Sequence, residues 1–252
     1  MVSCIGEYFA FLYFPENHSC GLLHGNHKQI MKKSSKNRLT QKQLSLFPGD
    51  TLFERIARAV CMAGTLPRKE LYESWEVARR VRRKYRGSRV VDLASGHGLL
   101  AHIMLLLDDS STEAVAVDLK ISPNAYSLSE SIIKTWPGLK GRIHYIEAPL
   151  EAFEVLSGDL VISIHACGRL TDTILDKAVK AKARVAVLPC CHDLALSETG
   201  GLEGWIDGPL AVDVMRAARL RSEGYTVMTR RIPENITPKN RLLMGHPTQT
   251  GS

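Results

Sequence analysis

The stretch Val90-Val91-Asp92-Leu93-Ala94-Ser95-Gly96-His97-Gly98-Leu99-Leu100 decides the reading of this chain. An apolar run meets an aspartate, a turn with two glycines follows, and an apolar helix begins. Twenty residues after Gly98, a second apolar run, Ala114 to Val117, is closed by Asp118. A strand, a glycine turn and a second strand ending in a carboxylate form a nucleoside-binding arrangement. The glycines let the backbone approach a ligand closely, and the helix start offers free N–H groups. A carboxylate at the end of the second strand is placed to accept hydrogen bonds from ribose hydroxyls.

Strand and helix patterns alternate outward from this turn. Strands are predicted over residues 89–93, 113–118, 142–146, 159–164 and 184–189, with helices over 98–107, 123–135, 171–181 and 209–222. Such alternation gives a mostly parallel sheet covered by helices on both faces. Two further strands, over 224–231 and 240–246, have no long helix between them, so an antiparallel pair is expected to close the sheet. The fold class is therefore α/β, with seven strands in a mostly parallel sheet that ends in an antiparallel pair.

Upstream, Asp50-Thr51 before Leu52 carries helix-start chemistry, with Glu54 placed as in a capping box. A second helix is predicted over 68–86, with Leu71, Trp75, Ala78, Val81 and Tyr85 on one face. Arg79, Arg80, Arg82, Arg83 and Arg86 are expected on the other. Three regions follow: a poorly ordered basic extension over 1–47, a helical N-terminal segment over 48–87, and the nucleoside-binding domain over 88–252.

The formal net charge of +7 is unevenly placed. Residues 68–89 carry nine basic and three acidic side chains, whereas residues from 90 onward carry sixteen basic and nineteen acidic. The excess in front of the turn suits an anionic partner, and RNA meeting the five arginines is the expectation. DNA is not expected. No run approaches the ~20 apolar residues of a membrane span; the apolar stretch 8–14 is too short. Six cysteines without framework spacing suit a reducing, cytoplasmic setting.

The segment 96–101 also fits a dinucleotide fingerprint. Asp92 argues against it: a carboxylate four residues before Gly96 repels a pyrophosphate but suits the ammonium group of a methionine moiety. Here the sequence resembles class I S-adenosylmethionine-dependent methyltransferases, whose first motif reads acidic-x-x-x-Gly-x-Gly and whose second strand ends in an acidic residue. Ala94 stands where the fuller motif has a glycine. The resemblance implies a Rossmann-like, seven-stranded sheet with a reversed last strand, and S-adenosyl-L-methionine as cofactor, held by Asp92, Ala94, Ser95, Gly96, Gly98 and Asp118. Glu147 stands to accept from the adenine amine, and His165 lies at the methyl end.

A second constellation is more specific. One strand ends in His165-Ala166-Cys167-Gly168-Arg169-Leu170-Thr171-Asp172, and the next in Pro189-Cys190-Cys191-His192. Both lie at carboxyl ends of parallel strands, where such sheets bind ligands. The pair resembles a subset of methyltransferases, those related to methyltransferase-like protein 25 and the tRNA acceptor-stem 2′-O-methyltransferases. His165 and His192 are general-base candidates, Cys190 is a candidate nucleophile, and Asp172 is read as a helix cap. No metal site is expected, because adjacent cysteines suit tetrahedral chelation poorly and no Cys-x-x-Cys spacing exists. The expected activity is methyl transfer to an unidentified acceptor, with RNA slightly favoured. The alternatives are a NAD-type oxidoreductase and a non-catalytic RNA-binding protein with a relict cofactor fold.

Overall fold

A computed structural model of the chain describes residues 32–248. The apolar stretch 8–14, Cys4 and Cys20 lie outside the described residues. Residues from Lys32 onward form one compact unit. Within it, a 3-10 helix, Gln41–Leu46, precedes α1 (Leu52–Ala63) and α2 (Arg68–Arg82). Then come β1 (Val90–Leu93), α3 (Leu99–Leu106), β2 (Ala114–Asp118), α4 (Pro123–Thr135), β3 (Ile143–Glu147) and β4 (Leu160–Ser163). The chain continues through α5 (Arg169–Ala181), β5 (Arg184–Val187), α6 (Gly208–Ser222), β6 (Tyr225–Arg231) and β7 (Arg241–Pro247).

The seven strands lie in the order β3-β2-β1-β4-β5-β7-β6. β1 pairs in parallel with β2 and β4, β3 with β2, and β5 with β4. β7 runs antiparallel to both β5 and β6; this is the antiparallel pair expected from the absence of a helix between them, and the reversed last strand that the resemblance implies. Alternate strand residues, among them Val91, Leu93, Val115, Val117, Val161, Val185 and Val187, share one core with Ile174, Leu175 and Ala178 of α5 and Leu220 of α6. α3 rests on β1 and β2 and contributes nothing to that core, so it covers the opposite face. Burial on both faces explains the near-continuous apolar strands.

The N-terminal elements depart from expectation in two ways. First, residues 38–47 belong to the fold: Leu39 and Phe47 are buried, and the Leu39 N–H donates to Leu66 O. The basic sequence around them concealed two core anchors. Second, α2 stops at Arg82, four residues early, and the chain turns through Gly87 and Ser88, both at positive φ. Arg82 does not face outward. It is 2% exposed, its Nη1 lies 2.9 Å from Asp108 Oδ2, and it donates to Met104 O at 3.0 Å and Ser111 Oγ at 2.8 Å. A charge this buried must be paired, and Arg82 is therefore withdrawn from the RNA-facing set. Arg80 is also engaged, with Glu76 and with Arg231 O, while Arg83 and Arg86 are exposed. Among the described residues no helix is long and apolar enough to cross a membrane.

Candidate functional site

The glycine turn is held from three sides. Ser95 N–H donates to Val117 O at 3.1 Å, tying the turn to β2. Gly96 (φ 56) and Gly98 (φ 74) adopt backbone conformations that side chains disfavour. A Cβ on Gly96 would meet nothing within 4 Å, so this residue fronts open space. A Cβ on Gly98 would come within 3.0 Å of the Tyr145 ring. Tyr145 donates to His97 O or Ala125 O, at 3.1 and 3.2 Å, and so supports the turn from β3. His102, fully buried one turn into α3, bonds through Nδ1 to Gly98 O at 2.8 Å and through Nε2 to Ser129 Oγ of α4 at 3.1 Å. Neither Tyr145 nor His102 stands out in the sequence, because each acts through a backbone carbonyl or through a partner on another element.

The residues expected to hold the cofactor are gathered at the carboxyl ends of β1, β2 and β3. Asp118 Oδ2 accepts from Gly96 N–H at 2.9 Å, and Oδ1 from Leu119 N–H at 2.8 Å. Glu147 is exposed and accepts from Ile121 N–H at 2.9 Å. Ala94 takes the missing glycine's backbone, at φ 56. Asp92 is 1% exposed, and burial pushes its carboxyl well above the usual range despite help from the Ala101 N–H. Asp92 Oδ2 and Ser95 Oγ are buried without a hydrogen-bond partner, as is Ser163 Oγ at the end of β4. Orphaned polar atoms of this kind are rare. A buried carboxylate oxygen without a donor, four residues before a glycine that fronts open space, fits a ligand carrying a cationic group beside a nucleoside.

The loops after β4 and β5 are joined to each other. Gly168 N–H donates to Cys191 O at 3.2 Å, and Thr171 Oγ1 donates to Ala166 O at 2.8 Å. Asp172 is not a cap: Gly168 occupies that position, and both Asp172 oxygens receive Arg216, each at 2.8 Å. Arg216 also donates to Gly168 O at 3.1 Å. His192 departs from the acceptor-side position expected of a base. Its side chain is 3% exposed, and Nε2 lies 2.8 Å from Asp213 Oδ1. Asp213 also receives Arg241 at 2.6 Å. Burial opposes ionisation of Asp213, but His192 and Arg241 outweigh it and hold the pKa below the ordinary value. This network on α6 could not be read from the sequence, since Asp213 sits in a helix without any motif.

His165 lies two residues past the carboxyl end of β4. Burial lowers its pKa to about 4, with Lys69 and His97 adding to the effect, so the imidazole is neutral at physiological pH. α2 brings an unexpected group of charges to the same region. Glu73 is 3% exposed and pairs with Lys69 at 3.0 Å. Burial and the neighbouring Glu73 raise Glu70 to about 7. Cys190 is a poor nucleophile here: burial raises its pKa first, and the Cys167 sulfur, 3.1 Å away, adds to this. Cys191 is exposed, and hydrogen bonding from Cys167 lowers its pKa, with Lys239 assisting.

Residues 69–198, just over half of the chain, match a family described as a methyltransferase domain. A glutathione S-transferase C-terminal domain-containing protein homolog of Drosophila melanogaster is 28% identical over 202 residues, covering 63% of this chain and 33% of that protein. The human protein of that description is 24% identical over 201 residues, covering 64% and 30%. The chain thus spans about a third of the length of these relatives. Among solved structures, an O-methyltransferase family protein from Burkholderia thailandensis aligns with a TM-score of 0.45 at 20% identity, covering 84% of this chain and 64% of that one. A tRNA methyltransferase of B. subtilis aligns at 0.45 and 16%, covering 69% and 66%. With seven strands in this order, a reversed β7 and the family match, the chain belongs to the methyltransferase-domain family and has its class I fold.

Proposed function

We propose that the chain is an S-adenosylmethionine-dependent methyltransferase whose acceptor is RNA. The observation that carries the reading is the orphaned Asp92 carboxylate oxygen, four residues before the open face of Gly96. A pyrophosphate would be repelled there, whereas an ammonium group supplies the missing donor and charge. Asp92 and Ser95 would hold the methionine end, Gly96 leaves room for it, Asp118 receives the ribose hydroxyls and Glu147 the adenine amine. When bound, the cofactor supplies an electrophilic methyl group on sulfonium sulfur.

The chain's own residues then do two things. The braced loops after β4 and β5 align an acceptor, and alignment alone supplies much of the rate in a direct displacement. Neutral His165 takes the acceptor's proton. His192 acts through Asp213 as a positioning residue.

RNA is favoured by an exposed basic strip. Arg230 and Arg231 lie at the carboxyl end of β6, and the Arg80 contact with Arg231 O joins them to α2. From the end of α2 the chain descends through Arg83 to Arg86, whose carbonyl accepts from Arg184 at the opposite end of the sheet, at 3.0 Å. The strip thus spans the sheet from its carboxyl end, where the candidate site lies, to its amino end. Calorimetric titration with S-adenosylhomocysteine tests the donor, and tritium from labelled cofactor appearing in RNA of a cell extract tests the acceptor. No binding by the intact chain overturns the first assignment. Label confined to protein or small molecules overturns the second.

A further inference from the structure

Cys167, Cys190 and Cys191 bring their sulfurs within 4.8 Å of one another. The sequence argues against their joint use because adjacent cysteines suit tetrahedral chelation poorly, and on a strand they would also point to opposite faces. β5, however, ends at Val187, so Pro189-Cys190-Cys191 is free of strand alternation and both thiols reach Cys167. We infer that these three cysteines form a binding site for a thiophilic divalent ion, zinc being the natural occupant, with a fourth position open to solvent or ligand. The assignment stands independently of the methyl donor.

Three observations support it. Zinc holds thiolates at about 2.3 Å, which sets tetrahedral sulfurs about 3.8 Å apart. The sulfurs lie close enough to reach that spacing with small side-chain adjustments: Cys167 and Cys190 stand 3.1 Å apart, and no pair exceeds 4.8 Å. The two loops are also fixed from behind, by Gly168 N–H on Cys191 O, by Arg216 on Gly168 O and by His192 on Asp213. Outer partners of this sort hold ligands in place. Finally, three thiolates around a divalent ion carry one net negative charge, and Lys239 Nζ stands 3.8 Å from Cys191 Sγ to balance it. Cys167 and Cys191 line a cleft of about 880 Å³ shared with Gly168 and His192, which gives the open position access to a ligand.

The test uses the full chain, reduced with a thiol-free reductant, and zinc or cobalt(II) alone. Competition against a chromophoric chelator should give one zinc per chain. Cobalt(II) should produce thiolate-to-metal charge-transfer absorption, a signature that histidines elsewhere in the chain cannot give. Cys190→Ser and Cys191→Ser should each weaken binding by more than the roughly 10–100-fold that loss of an outer partner costs, and Cys61→Ala should leave it unchanged. Circular dichroism establishes that each variant is folded; exposed Cys191 gives the variant least prone to misfold. Binding indifferent to these substitutions overturns the site. So does a reduced chain that takes up no metal and yields only a Cys167–Cys190 disulfide on exposure to peroxide.

Discussion

Asp118 Oδ2 receives the Gly96 N–H at 2.9 Å, so the carboxylate assigned to the ribose also fixes the turn that faces the methionine end. Its two roles are therefore coupled. Asp118→Ala should reduce affinity for S-adenosylhomocysteine about 10–100-fold, the equivalent of one charged hydrogen bond at about 1.5–3 kcal/mol. Asp118→Asn, which keeps an acceptor, should lose less. Titration calorimetry reads both, and an Asp118→Ala chain with unaltered affinity removes Asp118 from the site.

Gly98→Ala should destabilise the fold for two separable reasons. Its φ of 74 disfavours a side chain, and the new Cβ would press on Tyr145 at 3.0 Å. Strained positions cost about 1–3 kcal/mol each. In a Tyr145→Leu background the steric part should fall away and the conformational part remain. Urea unfolding of the native chain, both single variants and the double variant measures the difference. Strict additivity would show that Tyr145 does not limit residue 98.

His102 should make the turn acid-sensitive. Burial lowers its pKa from 6.5 to about 4, although the bond to Gly98 O works the other way. Between those two values the unfolded chain therefore binds the proton that the folded chain refuses. Stability is then fully present above the unfolded value of 6.5 and declines as pH falls toward 4. Comparing urea midpoints of the native chain and His102→Gln at about pH 7 and about pH 5, above and inside that window, checks this. The variant should be less stable at the higher pH and lose less on acidification; equal losses would assign acid sensitivity to other groups.

Asp108→Ala should cost about 3–5 kcal/mol, because it leaves the buried Arg82 guanidinium without its countercharge. Arg83→Gln and Arg86→Gln should lie within about 0.5 kcal/mol of the native chain, as exposed substitutions do. The same two changes should weaken RNA binding and flatten its salt dependence, the log–log slope falling by roughly 0.7–0.9 for each phosphate left without its arginine. Filter binding across a salt series separates the cases, and an unchanged slope would move the RNA face elsewhere.

The centre of the sheet is legible because β1, β2, β4 and β5 are buried on both faces and bounded by turn residues, so apolar runs and glycines mark them without tertiary information. The turn from Asp92 to Gly98 was legible for the same local reason. Arg82 was misplaced by counting arginines as outward, although the spacing Leu71, Trp75, Ala78, Arg82 itself follows the apolar stripe. Tyr145, Asp213 and Glu70 were not legible at all. Their significance comes from partners on other elements or from burial, and a lone tyrosine, aspartate or glutamate in a regular segment carries no mark of either. The three thiols were visible as residues, yet their convergence depends on β5 ending at Val187, a boundary that periodicity alone sets later, at Pro189.

The position of β7 bears on how the chain is made. β7 is inserted between β5 and β6, yet it is the last of the strands to be synthesised. A nascent chain that has emerged only as far as Asn240 holds β5 as an open edge and β6 without a neighbour. Exposed edges of this kind invite pairing with other chains. The sheet therefore cannot close progressively from its N-terminal side during translation, and the open β5 edge is covered only once the chain through Pro247 has emerged.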